Sequence, residues 1–261
     1  MPVPQSSAKD GMRSAVALLG VCALSSACAP STIETAAETV VISCGLSMAP
    51  AEIREAESLE IQGCGDVDFR PLWEADRLVA LEVSDPALRD ITNLAGIRSL
   101  ERVVLESSDV SDIAPLGPLE RLREVVVVDT PLTDLSPLAR LSALEHLDVS
   151  DSYVIDLGPL EGLASLHTLI APRARIGDVS ALATLPSLRE VNLYDNGVAD
   201  IAPLVANAGL GEGTSVNLVG NCLDLDDAAT RSALVSLRAR GVSVSVEPQK
   251  PDCDDADYFG R

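Results

Sequence analysis

The chain has 261 residues, 47% of them hydrophobic but only 2% aromatic, and carries 19 Lys+Arg against 40 Asp+Glu. A net charge of −21 argues against nucleic acid as a partner, since Lys and Arg neutralising phosphate supply most of that affinity, and against electrostatic docking on anionic lipid. A basic or neutral partner stays compatible, and a core of small aliphatic side chains suits stacked repeats better than one globular centre.

Lys9 and Arg13 form a short basic stretch ahead of the apolar run SAVALLGVCALSSA at 14–27. That run is too short to span a bilayer but fits the core of a signal peptide at 1–27. It ends at Leu24-Ser25-Ser26-Ala27-Cys28, which resembles a bacterial lipobox, although Ser25 stands where that motif usually has an aliphatic residue. The resemblance implies lipidation of Cys28; an ordinary cleaved signal with Cys28 merely nearby is the alternative. Ala29 follows Cys28, without the aspartate of the lipoprotein retention rule, so where that rule operates the expected location is the outer membrane, periplasmic or surface-exposed. Residues 28–55 then read as a tether and an N-terminal cap, with 40–44 a capping strand.

Leu72, Leu94, Leu116, Leu138, Leu160, Leu182 and Leu204 recur every 22 residues. Seven units follow in one register, 56–77, 78–99, 100–121, 122–143, 144–165, 166–187 and 188–209. The unit is L-x-x-L-x-L-x-x-x-x-L-x-D-L-x-P-L-x-x-L-x-x. It resembles the bacterial leucine-rich repeat, and its D-[IL]-x-P-L half resembles the internalin type. The resemblance covers about 154 residues, with a divergent last unit near Val216-Asn217-Leu218-Val219-Gly220-Asn221. It implies an α/β fold, a curved solenoid with a parallel sheet on the concave face and short 3-10 or α turns on the convex face.

The residues point the same way by themselves. Positions four and six of the unit are aliphatic between polar neighbours, the period of a strand with one buried face. One such strand cannot bury that face alone, so units must stack. Proline at position sixteen in five units (Pro71, Pro115, Pro137, Pro159, Pro203) suits the start of a turn, where no amide is required. Position thirteen is Asp in all seven units, from Asp68 to Asp200, and each carboxylate is expected to accept backbone N–H bonds in its own loop; one Asp per coil is thin provision for calcium. Position nine, commonly Asn in this family, reads Cys64, Pro86, Ser108, Thr130, Ser152, Ala174, Asn196, which puts coil-to-coil bonding on that edge in doubt.

Residues 210–261 hold the divergent last repeat and a C-terminal cap. The segment 226–240 starts with acids, ends with Arg238 and Arg240 and stops at Gly241, which predicts a helix; 242–246 reads as a strand, and a solvated acidic tail follows. Of six cysteines, Cys22 leaves with the signal and Cys28 takes the lipid. The other four allow three pairings. Because the ends of a solenoid lie far apart, Cys44–Cys64 and Cys222–Cys253 are favoured. No metal site or cofactor is expected.

Side chains at positions three, five, seven and eight should point from the strands into the concave face. Val104, Val126, Val128 and Ile170 are expected to be exposed there, an apolar patch rimmed by Arg102, His146, Asp148, Asp151, Arg173 and Tyr194. Such a surface is typical of protein recognition. His146, Asp148 and Ser150 make no triad, since alternate residues of one strand lie about 6.6–7 Å apart, beyond hydrogen-bond reach. The expected function is a non-enzymatic, monomeric module that binds a protein or peptide, exported to the cell envelope and touching membrane only through its lipid. The alternative is a structural envelope lipoprotein without a specific ligand. Internalin-type proteins often engage host receptors, an analogy from fold alone.

Overall fold

Leu94, Leu116 and Leu138 are completely buried, as are their counterparts Leu160, Leu182 and Leu204, while Leu72 at the first coil is nearly so. The same holds for position one from Leu78 to Leu188 and for position fourteen from Phe69 to Ile201. The computed structural model describes residues 39–43, 55–63, 67–250 and 253. The signal peptide, Cys28, most of the tether, Cys44, Cys64 and the acidic tail lie outside the described residues.

Ten parallel strands form one sheet in chain order. They are β1 (Thr39–Ser43), β2 (Ser58–Gln62), β3 (Ala80–Ser84), β4 (Arg102–Glu106), β5 (Glu124–Val128), β6 (His146–Asp148), β7 (Thr168–Ile170), β8 (Glu190–Asn192), β9 (Ser215–Asn217) and β10 (Ser243–Ser245). The register keeps the 22-residue spacing, so Leu59, Leu81, Val103, Val125, Leu147, Leu169 and Val191 stand side by side. The aliphatic positions of neighbouring coils thus share one interior. The N-terminal capping strand expected at 40–44 is β1, at Thr39–Ser43, paired in parallel with β2.

Strands β2 to β5 have five residues and β6 to β9 have three. Position five accounts for most of this. Asp148, Asn192 and Asn217 turn back to accept the N–H two residues ahead, at 2.9 to 3.1 Å, and end the strand by that local bond. Glu60, Glu82, Val104 and Val126 make no such bond among the described residues.

The opposite side consists of 3-10 turns, Arg70–Glu74, Thr92–Gly96, Ala114–Leu116, Ser136–Leu138, Gly158–Leu160 and Ser180–Thr184, then a short α-helix, Ala202–Ala206. In each, the position-seventeen amide donates to the position-fourteen carbonyl, as from Leu116 to Ile113 at 2.9 Å. Proline at sixteen therefore costs no bond. The Asp column behaves as expected: all seven carboxylates accept the N–H two residues on, at 2.7 to 3.1 Å.

Coil-to-coil bonding along position nine has two solutions. Asn196 and Asn221 are fully buried. Asn196 accepts from Ile176 N–H (3.0 Å) and donates to Ala171 C=O (2.7 Å) of the preceding coil, and Asn221 does the same with Val198 and Leu193. At position eight the backbone itself connects neighbours, in the coil of Asn196 as well as in those without asparagine. The position-eight amides of Gly63, Ser107, Asp129, Asp151, Arg173 and Asp195 donate to the next coil at 2.9 to 3.1 Å. These six residues share a left-handed backbone, with φ from +48° to +62°. Asp85, the seventh, is followed by Pro86, which disfavours helical backbone in the residue before it.

The C-terminal helix spans Ala228–Ala239, capped by Asp227, whose carboxylate accepts from Thr230 N–H at 2.8 Å. Gly241, with φ +85°, turns the chain into β10. Buried Asn207 replaces an aliphatic residue at position twenty and bonds Leu182 and Leu185 of the coil before. Arg240 donates to the Asn207 and Leu204 carbonyls, docking the helix on the last coil. Cys222 and Cys253 form a disulfide, and Lys250 donates to Asn196 C=O and pairs with Asp195.

Candidate protein-binding face

Strands β2 to β8 present positions three and five on the concave side, and position seven lies at the end of β2 to β5 and just past β6 to β8; no element covers them among the described residues. The expected apolar patch needs correction. Val104 is 1% exposed and Val126 9%, so both are screened on the concave face and offer no contact surface, although they stand apart from the core cluster that holds Val103, Leu105, Val125 and Val127. Val104 and Val126 neighbour each other across β4 and β5. Arg102 spans the strand carrying Val104, pairing with Glu124 at 3.0 Å on one side and Glu82 at 3.4 Å on the other. Long side chains gathered on an inward-curving face shield the small valines between them.

What remains accessible lies nearer the C-terminal edge of the strands. Val128, Ile170 and Pro172 are half-buried and Tyr194 is 40% exposed. Val128, Ser150, Pro172 and Tyr194 occupy position seven in four successive coils, with Ile170 beside them at position five. Beyond the strand ends, exposed Tyr153 carries the Arg175 guanidinium 4.5 Å over its ring, and Ile155 is 56% exposed.

The rim residues are mostly engaged. Arg173 forms a fork-to-fork pair with Asp151, which holds the guanidinium pKa above its ordinary value. Asp148 accepts from both the N–H and the hydroxyl of Ser150. The expectation that these two lie out of reach fails because β6 ends at Asp148 and Ser150 folds back. The hydroxyl donates to Asp148 rather than to His146, so the three residues do not form a Ser–His pair oriented by a carboxylate. His146 is half-buried between Glu124 and Thr168 in the register.

Positions three, five, seven and eight of the seven coils carry ten carboxylates and two guanidiniums, Arg102 and Arg173. The flank leading into the strands differs. There Arg77 pairs with Glu55 and Glu57, Arg121 with Glu101, and Arg123 with Glu101 and Glu145. Three guanidiniums meet four carboxylates there, a near balance, whereas the concave face is left anionic. Among the described residues no group of three His, Cys, Asp or Glu is arranged to hold a metal ion.

No protein-family model and no curated protein matches the chain. Among solved structures, it is similar to internalin C2 of Listeria monocytogenes at 34% identity and a TM-score of 0.53, covering 60% of this chain and 69% of that one. The chain belongs to the internalin-type leucine-rich-repeat family. A second internalin of that species, inlF, is 23% identical with a TM-score of 0.58, over 78% of this chain and 64% of its own, and shares the fold. This chain thus spans less than two thirds of that second relative.

On this internalin-type face, sequence reasoning missed three things. Pro172 joins the apolar strip, and the Glu82–Arg102–Glu124 bridge crosses three coils. At the far end a shallow hollow of about 190 Å³ opens between Glu190, Asn192, Ser215, Asn217, Ser243 and Ser245. The bridge had a readable trace, since its partners are 20 and 22 residues apart, one coil in the repeat. The hollow had none, because β10 lies outside the seven-unit register.

Proposed function

We propose that this chain is a non-enzymatic protein-binding module, exported and held at the cell envelope by a lipid on Cys28, recognising a protein or peptide on its concave face. One observation carries the reading: the parallel sheet presents an uncovered face on which Val128, Ile170, Pro172 and Tyr194 form a partly accessible apolar strip beside charged groups. Side chains of that kind, desolvated at the centre of a contact and ringed by polar groups, are where binding energy concentrates. The site residues proposed are Arg102, Val128, His146, Asp148, Ile170, Arg173 and Tyr194. Val104 and Val126, screened on the same face, are left out of the site. Family membership supports an interaction role, and the sequence around Cys28 supports the anchor.

The test compares cross-linked capture from the source cell's envelope by the wild-type chain and by a Val128→Asp, Tyr194→Ala variant with an unchanged circular dichroism spectrum. A partner held by the first and released by the second is the expected result. Equal capture by both removes the concave face from the reading.

A further inference from the structure

We propose that the occupant of the concave face is a cationic polypeptide surface, one that brings lysine or arginine groups to flank an apolar side chain. This rests on the concave face being the docking surface, and it narrows the partner's chemistry.

The argument is one of local charge rather than total charge. On the leading flank Arg77, Arg121 and Arg123 each find a glutamate one coil away, and Arg189 donates to backbone carbonyls. On the concave face the few cations are already engaged. Arg102 is shared by Glu82 and Glu124, Arg173 is forked to Asp151, and Lys250 sits on Asp195. Glu60, Glu106, Asp129 and Glu190 have no cation within ion-pairing distance among the described residues; Glu106, Asp129 and Glu190 flank the apolar strip, and Glu60 lies on the same sheet face three coils before it. Asp129 directly follows Val128 in the chain, and Glu106 stands beside Val128 in the register.

A partner that covered these carboxylates with apolar or acidic surface would desolvate them without compensation, which is strongly unfavourable. A partner with positive groups at the same places gains attraction and faster encounter. The complementary surface is therefore apolar at its centre and basic around it.

The experiment uses fluorescence anisotropy with the full chain and a short labelled peptide alternating lysine and leucine, beside counterparts with serine or glutamate in place of lysine. The lysine peptide should bind about tenfold or more tighter than the serine peptide, lose affinity as salt rises, and leave the glutamate peptide unbound. Glu106→Lys with Asp129→Lys should abolish that preference. Glu106→Gln with Asp129→Asn, which keeps side-chain size, should reduce it. Glu120→Lys with Glu161→Lys, an equal charge change at exposed residues outside the concave columns, should leave it standing.

Failure takes distinguishable forms. If lysine and serine peptides bind alike and Val128→Asp abolishes both, the concave face is the site and the cationic partner is wrong. If the control pair weakens the lysine peptide as much as the concave pair does, the attraction is net charge alone and the proposal is overturned. If the lysine peptide does not bind, or its binding survives both the concave charge reversals and Val128→Asp, the proposal falls; in the latter case the concave-face reading falls with it.

Discussion

At the scale of single residues, position nine sets a contrast within one column. The Asn196 amide satisfies a buried N–H and a buried C=O of the coil before it. The hydroxyls of Ser108 and Thr130 occupy the same column, also buried, with no hydrogen-bond partner among the described residues. Burying a hydroxyl without a bond is unfavourable, and removing one half of a satisfied buried pair is more so. Thr130→Val should therefore raise stability by about 1 kcal/mol. Asn196→Ala should lower it by roughly 2–3 kcal/mol, because two backbone groups are orphaned. Urea titration of both variants reads the opposite signs directly. The sequence shows which column lacks asparagine. That the backbone takes over coil-to-coil bonding is not legible there, because it depends on left-handed residues that are mostly not glycine.

At the scale of elements, the convex turns are held by carboxylates whose ionised form the fold favours. The Arg70 side chain and then its N–H hold Asp68 down to about 2 from an ordinary 3.8. Asp90 and Asp134 are lowered by Thr92 and Ser136, and Asp227 by the Thr230 N–H at the helix cap. A carboxylate with a depressed folded pKa contributes stability that is complete above its unfolded pKa and disappears as pH falls through the folded one. For Asp68 the window runs from about 4 down to about 2. Asp68→Asn should flatten the loss of melting temperature in that window relative to wild type, as differential scanning fluorimetry across pH would record. These turns were legible because Asp, a small residue and Pro recur in fixed order. The C-terminal helix was legible for a related reason, its acidic start and glycine stop both acting in the structure. Strand length was not: Asp148, Asn192 and Asn217 shorten their strands through bonds to their own backbone, while hydrophobic periodicity reports only which face is buried.

At the scale of the molecule, stability comes from neighbours, since each coil buries its aliphatic face against the next. Deleting residues 144–165, one whole unit, joins two positions of equal register and brings Arg173 next to Asp129 in the position-eight column. The shortened chain should still unfold in one transition, with a denaturant slope reduced in proportion to the surface lost. Two separate transitions would show that the coils do not share one interior. The stack itself was plain in the sequence, because seven units hold one register. The candidate face was only half plain. Alternation correctly assigned Val104 and Val126 to the concave side, yet side chains there screen one another across coils, and that crowding depends on Arg102 reaching Glu82 and Glu124.

The left-handed residues at position eight have a practical consequence. Their amides bind the next coil whatever side chain they carry, and Ser107, Asp129, Asp151 and Arg173 already differ in size and sign. A left-handed backbone costs an L-residue about 1–2 kcal/mol, least for Asn and Asp and most for β-branched side chains, so exchanging one unbranched side chain for another adds little to a strain the fold already absorbs. A combinatorial library randomised along this column would keep the scaffold while rewriting the surface it presents, and would be most tolerant of aspartate, asparagine and glycine.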